Sequence, residues 1–238
     1  MPSLSIITIC FNAADCIERT LRSVSKQTDL SFEYLIIDGA SKDCTLDMVR
    51  QICPFARIYS EPDNGIYDAM NKGLIKATGD YVWFMNAGDE IYDKDTVAKL
   101  HRIIASSPDV IYGDTMIKDD DGKELGLRRL RPPKVLSWKS FSNGMLVCHQ
   151  SFIARRSLTA KYDLRYRFSA DFDWCIKVLK KSRHIVNSNL ILSGYLKEGA
   201  TTNNHKASLK ERFRIMCHYY GLFVTLFKHF LFLFVRKR

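Results

Sequence analysis

Three polar clusters have residue types and positions suited to gripping a charged ligand. Phe11-Asn12 follows the apolar run Ser5–Cys10. Asp38-Gly39-Ala40-Ser41-Lys42-Asp43 closes the run Phe32–Asp38, and Asn86-Ala87-Gly88-Asp89 follows Tyr81–Met85. A carboxylate placed directly after a central strand is held rigidly and faces the crevice where α/β sheets bind ligands. Taken singly, Asp38 or Asp89 reads equally well as a helix cap or a turn former. Taken together at successive strand ends, they point to a site. A dinucleotide fold would need G-x-G-x-x-G after the first strand. That position reads Cys10-Phe11-Asn12-Ala13-Ala14-Asp15, without a glycine, and no GxxxxGK[ST] loop occurs. A diphosphate bound here would be met by a metal ion and basic side chains, not by a cradle of glycine amides.

The elements that must position these clusters alternate. Short continuous apolar runs at Ser5–Cys10, Phe32–Asp38, Ala56–Ser60, Tyr81–Met85 and Val110–Tyr112 predict strands buried on both faces. Between them, Ile17, Leu21 and Val24, then Leu46, Val49 and Ile52, then Ala69, Met70, Leu74 and Ala77 recur at helical spacing, and a helix is expected over roughly 94–106. This rhythm predicts an α/β unit with a doubly wound, mostly parallel sheet. After Gly113 it becomes irregular: Asp119–Gly122 is a turn and Arg128–Lys134 a basic loop. A helix over Phe172–Lys181, a strand over Ile185–Leu192 and a helix over Ala207–Tyr220 are expected beyond them.

The chain has 238 residues, 46% apolar and 26% charged, which suits a globular protein and excludes a disordered or fibrous one. Its net charge of +10 conceals a division: residues 1–121 carry 12 Lys/Arg against 20 Asp/Glu, and residues 122–238 carry 24 against 6. A basic half faces nucleic acid, a phosphorylated substrate or an acidic leaflet, unless it is merely solvated surface. The seven cysteines are scattered without a CxxC pair, which argues against a disulfide framework or a thiolate zinc site and for a reducing compartment. The amino terminus lacks the basic region of a secretion signal, so a cytoplasmic location is expected.

At the other end, Leu222–Val235 is 14 residues of mostly Phe, Leu and Val. As a helix it would reach about 21 Å, short of the ~30 Å hydrocarbon core. Thr225, Lys228 and His229 fall on one narrow polar stripe. With Arg236-Lys237-Arg238 behind it, the segment reads as an amphipathic helix lying on the anionic inner face of the cell membrane. The plainer alternative is a helix docked on the catalytic domain or on a second subunit.

SIITICFN, IIDGASKDCT, SEPDNGIYDAMNKGLIKATGDYVWFMNAGD, CHQSF and SADFDW, in that order, resemble the successive motifs of inverting family 2 glycosyltransferases. The likeness runs from Ser5 to about Asn204. SEPDNGIYDAMNKG, with NAGD, HQ, SAD and TTNN, resembles the bacterial exopolysaccharide and O-antigen branch, the colanic acid fucosyltransferase type above all. The resemblance implies the GT-A fold, a nucleotide-binding α/β unit merged with an acceptor region. Residues 1–205 would form that catalytic domain, 1–112 its nucleotide-sugar half and 113–205 its acceptor half, with 206–238 a helical membrane-surface segment.

Carried over residue by residue, it implies that Asp38 accepts a hydrogen bond from the nucleotide base, with Phe11 and Asn12 beside the ring and ribose. Asp68 and Asn71 would line the donor pocket. Asp89 would bind Mg²⁺ or Mn²⁺ as the last carboxylate of a DxD-like motif in which Asn86 and Gly88 replace acids. Asp171 would be the catalytic base, with Asp173 second to it, and His149 and Gln150 would lie on the acceptor or diphosphate side. The expected partners are a UDP or GDP sugar and a saccharide acceptor carried on a polyprenyl diphosphate, whose phosphates Arg128, Arg129 and Arg131 would meet. Inverting transfer needs one base to take the acceptor proton and a Lewis acid on the leaving diphosphate. A glycosidase's facing carboxylates are not suggested. Three rivals remain: a basic module that binds nucleic acid or a membrane surface without catalysis, a nucleotidyltransferase, and an inert membrane scaffold. The first lacks any recognised nucleic-acid-binding pattern, and its acidic strand ends would repel phosphate, so no nucleic acid is expected as partner.

Overall fold

Apolar runs without alternation make strands buried on both faces, and the stripes between them make the helices that cover those faces. The computed structural model describes residues 3–119, 121–196 and 205–235. β1 (Leu4–Cys10), β2 (Phe32–Asp38), β3 (Arg57–Ser60) and β4 (Tyr81–Phe84) alternate with α1 (Ile17–Ser25), α2 (Thr45–Ile52) and α3 (Ile66–Lys76). These four strands pair in parallel in the order β3-β2-β1-β4. Every residue of β1 and β4 is buried.

The second half joins the same sheet. β5 (Glu90–Ile91), α4 (Thr96–Ile104), β6 (Val110–Lys118), β7 (Glu124–Leu127), β8 (Phe152–Arg155), α5 (Ala170–Lys181) and β9 (Ile185–Leu196) follow in the chain. The full order is β3-β2-β1-β4-β8-β6-β9-β5, with β7 on β6. β8 lies antiparallel between β4 and β6, and β6 pairs with β9 in parallel. The expected doubly wound α/β architecture is present, with this antiparallel strand inserted into it. Ile17, Leu21 and Val24 of α1 and Leu100 of α4 fill one face of the sheet, and Met70 of α3 and Phe172, Trp174 and Ile176 of α5 fill the other.

The insertion has a consequence for position. Pairing Trp83 with Ile153 and Tyr81 with Arg155 makes the two strands run in opposite directions. The residues just before β8 therefore lie beside the loop just after β4. That register brings His149 and Gln150, in a 3-10 turn over His149–Ser151, to the Asn86–Asp89 loop.

α6 (His205–Tyr220) and α7 (Leu222–Val235) close the described chain. Thr225 is 0% exposed, Lys228 Nζ donates to Asn143 Oδ1 at 2.8 Å, and the His229 ring meets that of Phe213 at 5.1 Å. The polar stripe thus faces the protein. The outward face carries Phe223, 86% exposed, with Val224, Leu226 and Phe227 also exposed. The plainer sequence reading, a helix docked on the catalytic domain, describes its polar side, and its apolar side is left uncovered. Among the described residues no helix is long and apolar enough to cross a membrane. Arg236-Lys237-Arg238, the TTNN segment and Asp120 lie outside the described residues.

Gly113 of β6 packs against β9 so tightly that a Cβ would fall 2.5 Å from the Leu190 carbonyl oxygen. The pair shifts register on either side of Asp114. Gly113→Ala should cost about 1–3 kcal/mol and lower the melting temperature, measurable by calorimetry.

Candidate active site

The loop after β4 is built around one threonine. Thr20 Oγ1 donates to the carbonyls of Asp89 at 2.5 Å and Asn86 at 3.3 Å, and accepts from Gly88 N at 2.9 Å. Gln150 Nε2 reaches across the β4–β8 seam and donates to Asp89 Oδ2 at 2.6 Å. Gln150 is itself held, its carbonyl accepting from Trp83 Nε1 and its Oε1 from Cys148 Sγ. Asp89 is buried on this scaffold and faces a cleft of about 470 Å³.

Asp171 faces the same cleft from the first turn of α5. Its Oδ1 accepts from Tyr67 OH at 3.0 Å and from Phe172 N at 2.9 Å, whereas its Oδ2 accepts no hydrogen bond from the described residues. Burial, and then the Asp171 charge, push the Tyr67 phenol well above its ordinary range, so it stays a donor to the carboxylate. Tyr67 stacks on Tyr162, whose hydroxyl pairs with His149 Nε2 at 2.7 Å. Burial lowers the His149 pKa to about 4, a fall that Asp171 partly opposes, so its imidazole is neutral at pH 7.

Buried polar atoms without a hydrogen-bond partner gather here. Among the described residues there are four: Asn86 Oδ1, His149 Nδ1, Arg212 Nε and Asp173 Oδ2. The first three residues line the cleft, and Asp173 Oδ2 is ion-paired with Lys177 at 2.6 Å. Native proteins rarely leave such atoms unmet, and their concentration in one cavity makes it the candidate site for a polar ligand. Asn86 Oδ1 and the Asp89 carboxylate are the hard oxygen donors that Mg²⁺ or Mn²⁺ takes. No group of three or more His, Cys, Asp or Glu side chains gathers among the described residues. Most of a cation's shell would therefore come from phosphate oxygens and water.

The Glycosyl transferase family 2 model matches residues 5–162. The chain belongs to glycosyltransferase family 2. It is 31% identical over 215 residues to a PGL/p-HBAD biosynthesis glycosyltransferase of Mycobacterium bovis, covering 85% of this chain and 80% of that one. It is 28% identical over 220 residues to the putative teichuronic acid biosynthesis glycosyltransferase TuaG of Bacillus subtilis, covering 89% and 86%. Its fold matches S. aureus TarS 1–349 with a TM-score of 0.70 at 17% identity, over 97% of this chain and 72% of that chain. In the complex of TarS with UDP-GlcNAc the TM-score is 0.69 at 20% identity, over 90% and 64%.

In this family 2 glycosyltransferase the residues singled out by motif divide into two groups. Asp89, Asp171, His149 and Gln150 meet in the cleft, and Arg128 joins them. Asp38 does not line it. Its side chain is spent on the loop, accepting from Ser41 N and Oγ and from Ser60 Oγ, and the residue is 1% exposed. Asp68 and Asn71 also fall outside. Asp68 accepts from Asn64, and Asn71 clamps the backbone of Tyr162 through both amide atoms. The helix lines the cleft with Ile66, Tyr67 and Met70 instead. Asp173 is tied to Tyr219 and Lys177, which leaves Asp171 as the available carboxylate of the pair. Arg131 forks onto Asp114 and Arg129 is exposed, so neither lines the cleft.

Phe11 is 61% exposed at the end of β1, beside Gly39. A Cβ on Gly39 would fall 2.6 Å from Asp63 Oδ2 and 3.1 Å from the Phe11 ring, so Asp63 occupies the place a side chain would take. Asn12, at φ 44°, holds Lys42 N through its Oδ1. Sequence reasoning passed over Asp63 and Tyr67, although both lie inside the SEPDNGIYDAMNKG motif, and Arg212, which has no motif signal.

The buried neutral His149 sets a pH window. Below about pH 6.5 the unfolded chain binds a proton that the folded chain refuses until about pH 4. Stability therefore falls as pH drops through that interval. The melting temperature of His149→Gln should decline less from pH 6.5 to pH 4 than that of the wild type.

Proposed function

We propose that the chain transfers a hexosyl or deoxyhexosyl group, with inversion, from a UDP or GDP sugar to a saccharide carried on a polyprenyl diphosphate, in bacterial surface glycan synthesis. The observation that carries this reading is the shared cleft: Asp171 Oδ2 accepts no hydrogen bond from the described residues and faces the cavity that Asp89 also lines. The names of the mycobacterial and Bacillus relatives support the glycan role. The fucosyltransferase-type motifs favour a GDP sugar.

Asp171 Oδ2 takes the proton of the acceptor hydroxyl as the acceptor oxygen bonds to the anomeric carbon and the bond from that carbon to the diphosphate breaks. Tyr67 and Phe172 N fix the carboxylate through Oδ1, which leaves the other oxygen oriented for this task. Neutral His149 and the aromatic wall of Tyr67 and Tyr162 limit water at the reacting carbon. Asp89 and Asn86 would hold Mg²⁺ or Mn²⁺, which when bound supplies positive charge to the leaving nucleoside diphosphate. The base would lie over Gly39 between Phe11 and Asn12, where Asp63 Oδ2 takes over the acceptor role expected of Asp38, whose carboxylate braces the loop instead.

The exposed apolar side of α7 would seat the enzyme on the inner membrane face, beside a lipid-linked acceptor. Docking by its polar stripe keeps Lys228 on the protein and out of hydrocarbon.

Asp171→Asn should lower turnover by about 10²–10⁴-fold, with nucleoside diphosphate affinity essentially unchanged by calorimetric titration. Wild-type turnover in that variant would remove the base. Replacing Phe223 and Phe227 together by Ser should weaken sedimentation with anionic vesicles by about tenfold or more, without loss of melting temperature.

A further inference from the structure

α6 is pinned against the start of α5 by one face. Ser208 Oγ pairs with Ser169 Oγ at 3.0 Å, Glu211 accepts from Arg167 N and Phe168 N, and Tyr219 OH donates to Asp173 at 2.7 Å. Ile215 and Met216 are buried between these contacts. Positions 208, 211, 212, 215 and 219 share that face by helical periodicity, so the same contacts deliver Arg212 into the cleft.

Among the described residues two cations line the cleft, Arg128 and Arg212. Arg128 Nη1 is spent on the carbonyls of Met145 at 2.6 Å and Leu130 at 3.2 Å. Arg212 makes no hydrogen bond within the described residues, and its buried Nε is one of the orphaned donors. Its charge reaches the Tyr67 hydroxyl, which it acts to stabilise in the ionised form, so it sits on the Asp171 side of the site. A guanidinium lining a cavity with its buried Nε unmet fits the paired oxygens of a phosphate or carboxylate, and of these the donor of a glycosyltransferase brings phosphate.

Resting on the glycosyltransferase reading above, we propose that Arg212, on a helix beyond residues 5–162 matched by the family model, binds the diphosphate of the donor and neutralises it as it departs. The C-terminal helix pair is then part of the donor site as well as its route to the membrane. A polyprenyl diphosphate presents the same chemistry, so the test omits the acceptor.

Titration calorimetry on the full chain with Mn²⁺ would compare UDP and GDP with UMP and GMP for wild type, Arg212→Ala and Arg212→Gln. Loss of a charged hydrogen-bond pair predicts weakening of diphosphate binding by about 10- to 150-fold, monophosphate affinity staying level, in whichever variants keep the wild-type melting temperature. Equal diphosphate affinity in the wild type and a folded variant overturns the assignment while leaving the enzyme reading intact. A parallel loss for mono- and diphosphates also overturns it, since that would place Arg212 elsewhere on the nucleotide or in a structural role. A wild type that binds no nucleoside diphosphate overturns both.

Discussion

The hydrogen bond from Gln150 to Asp89 joins two parts of the sheet that the chain builds separately, and the site depends on it. Asp89 belongs to the loop after the last of four parallel strands, Gln150 to the turn before the antiparallel strand beside it. A buried carboxylate is costly unless its lone pairs are met. The Thr20 brace fixes the loop backbone and the Gln150 amide meets one carboxylate oxygen, so Asp89 is held facing the cleft. The register of β8 does the positioning. A slip of one residue in the β4–β8 pairing would shift the turn that carries His149 and Gln150 along the loop they serve.

Around that seam the cleft is assembled from distant parts of the chain. Tyr67 comes from α3, Asp171 from α5 and Arg212 from α6, and each is held by contacts on its own element. The aromatic stack of Tyr67, Tyr162 and Trp174 ties α3 to the start of α5. The polarity of α7 is reversed relative to a free interfacial helix docked from solution. Its few polar groups bond to the protein and its aromatic face is left for something apolar. The same helix pair that could touch a bilayer therefore also carries a charged side chain into the site.

Much of this was legible in the sequence. The four parallel strands and their helices follow from apolar runs and stripes, and the motifs led to Asp89, Asp171, His149 and Gln150. The failures have physical reasons. Asp38 stands at the strand end where a ligand contact is expected, but Ser60, at the end of another strand, reaches its carboxylate, and only the β2–β3 register reveals that. Asp68 and Asn71 were assigned to the correct helix but lie off the face that Ile66, Tyr67 and Met70 turn to the cleft. Tyr67 resembles any core aromatic until its hydroxyl is seen on Asp171. β8 has four residues and no alternation, so nothing local distinguishes it from a loop. Arg212 sits in a helix whose polar and apolar residues mark no function.

The central claim is that Asp89 and Asp171 face one activated sugar, with a cation on its phosphates. The most direct measurement is a crystal grown with Mn²⁺ and a nucleoside diphosphate, with anomalous scattering used to locate the manganese. The account predicts a peak coordinated by the Asp89 carboxylate, the diphosphate on it, and the Asp171 carboxylate facing the end from which the sugar departs. A diphosphate and cation remote from Asp89, or a sugar end of the diphosphate turned away from Asp171, would contradict it.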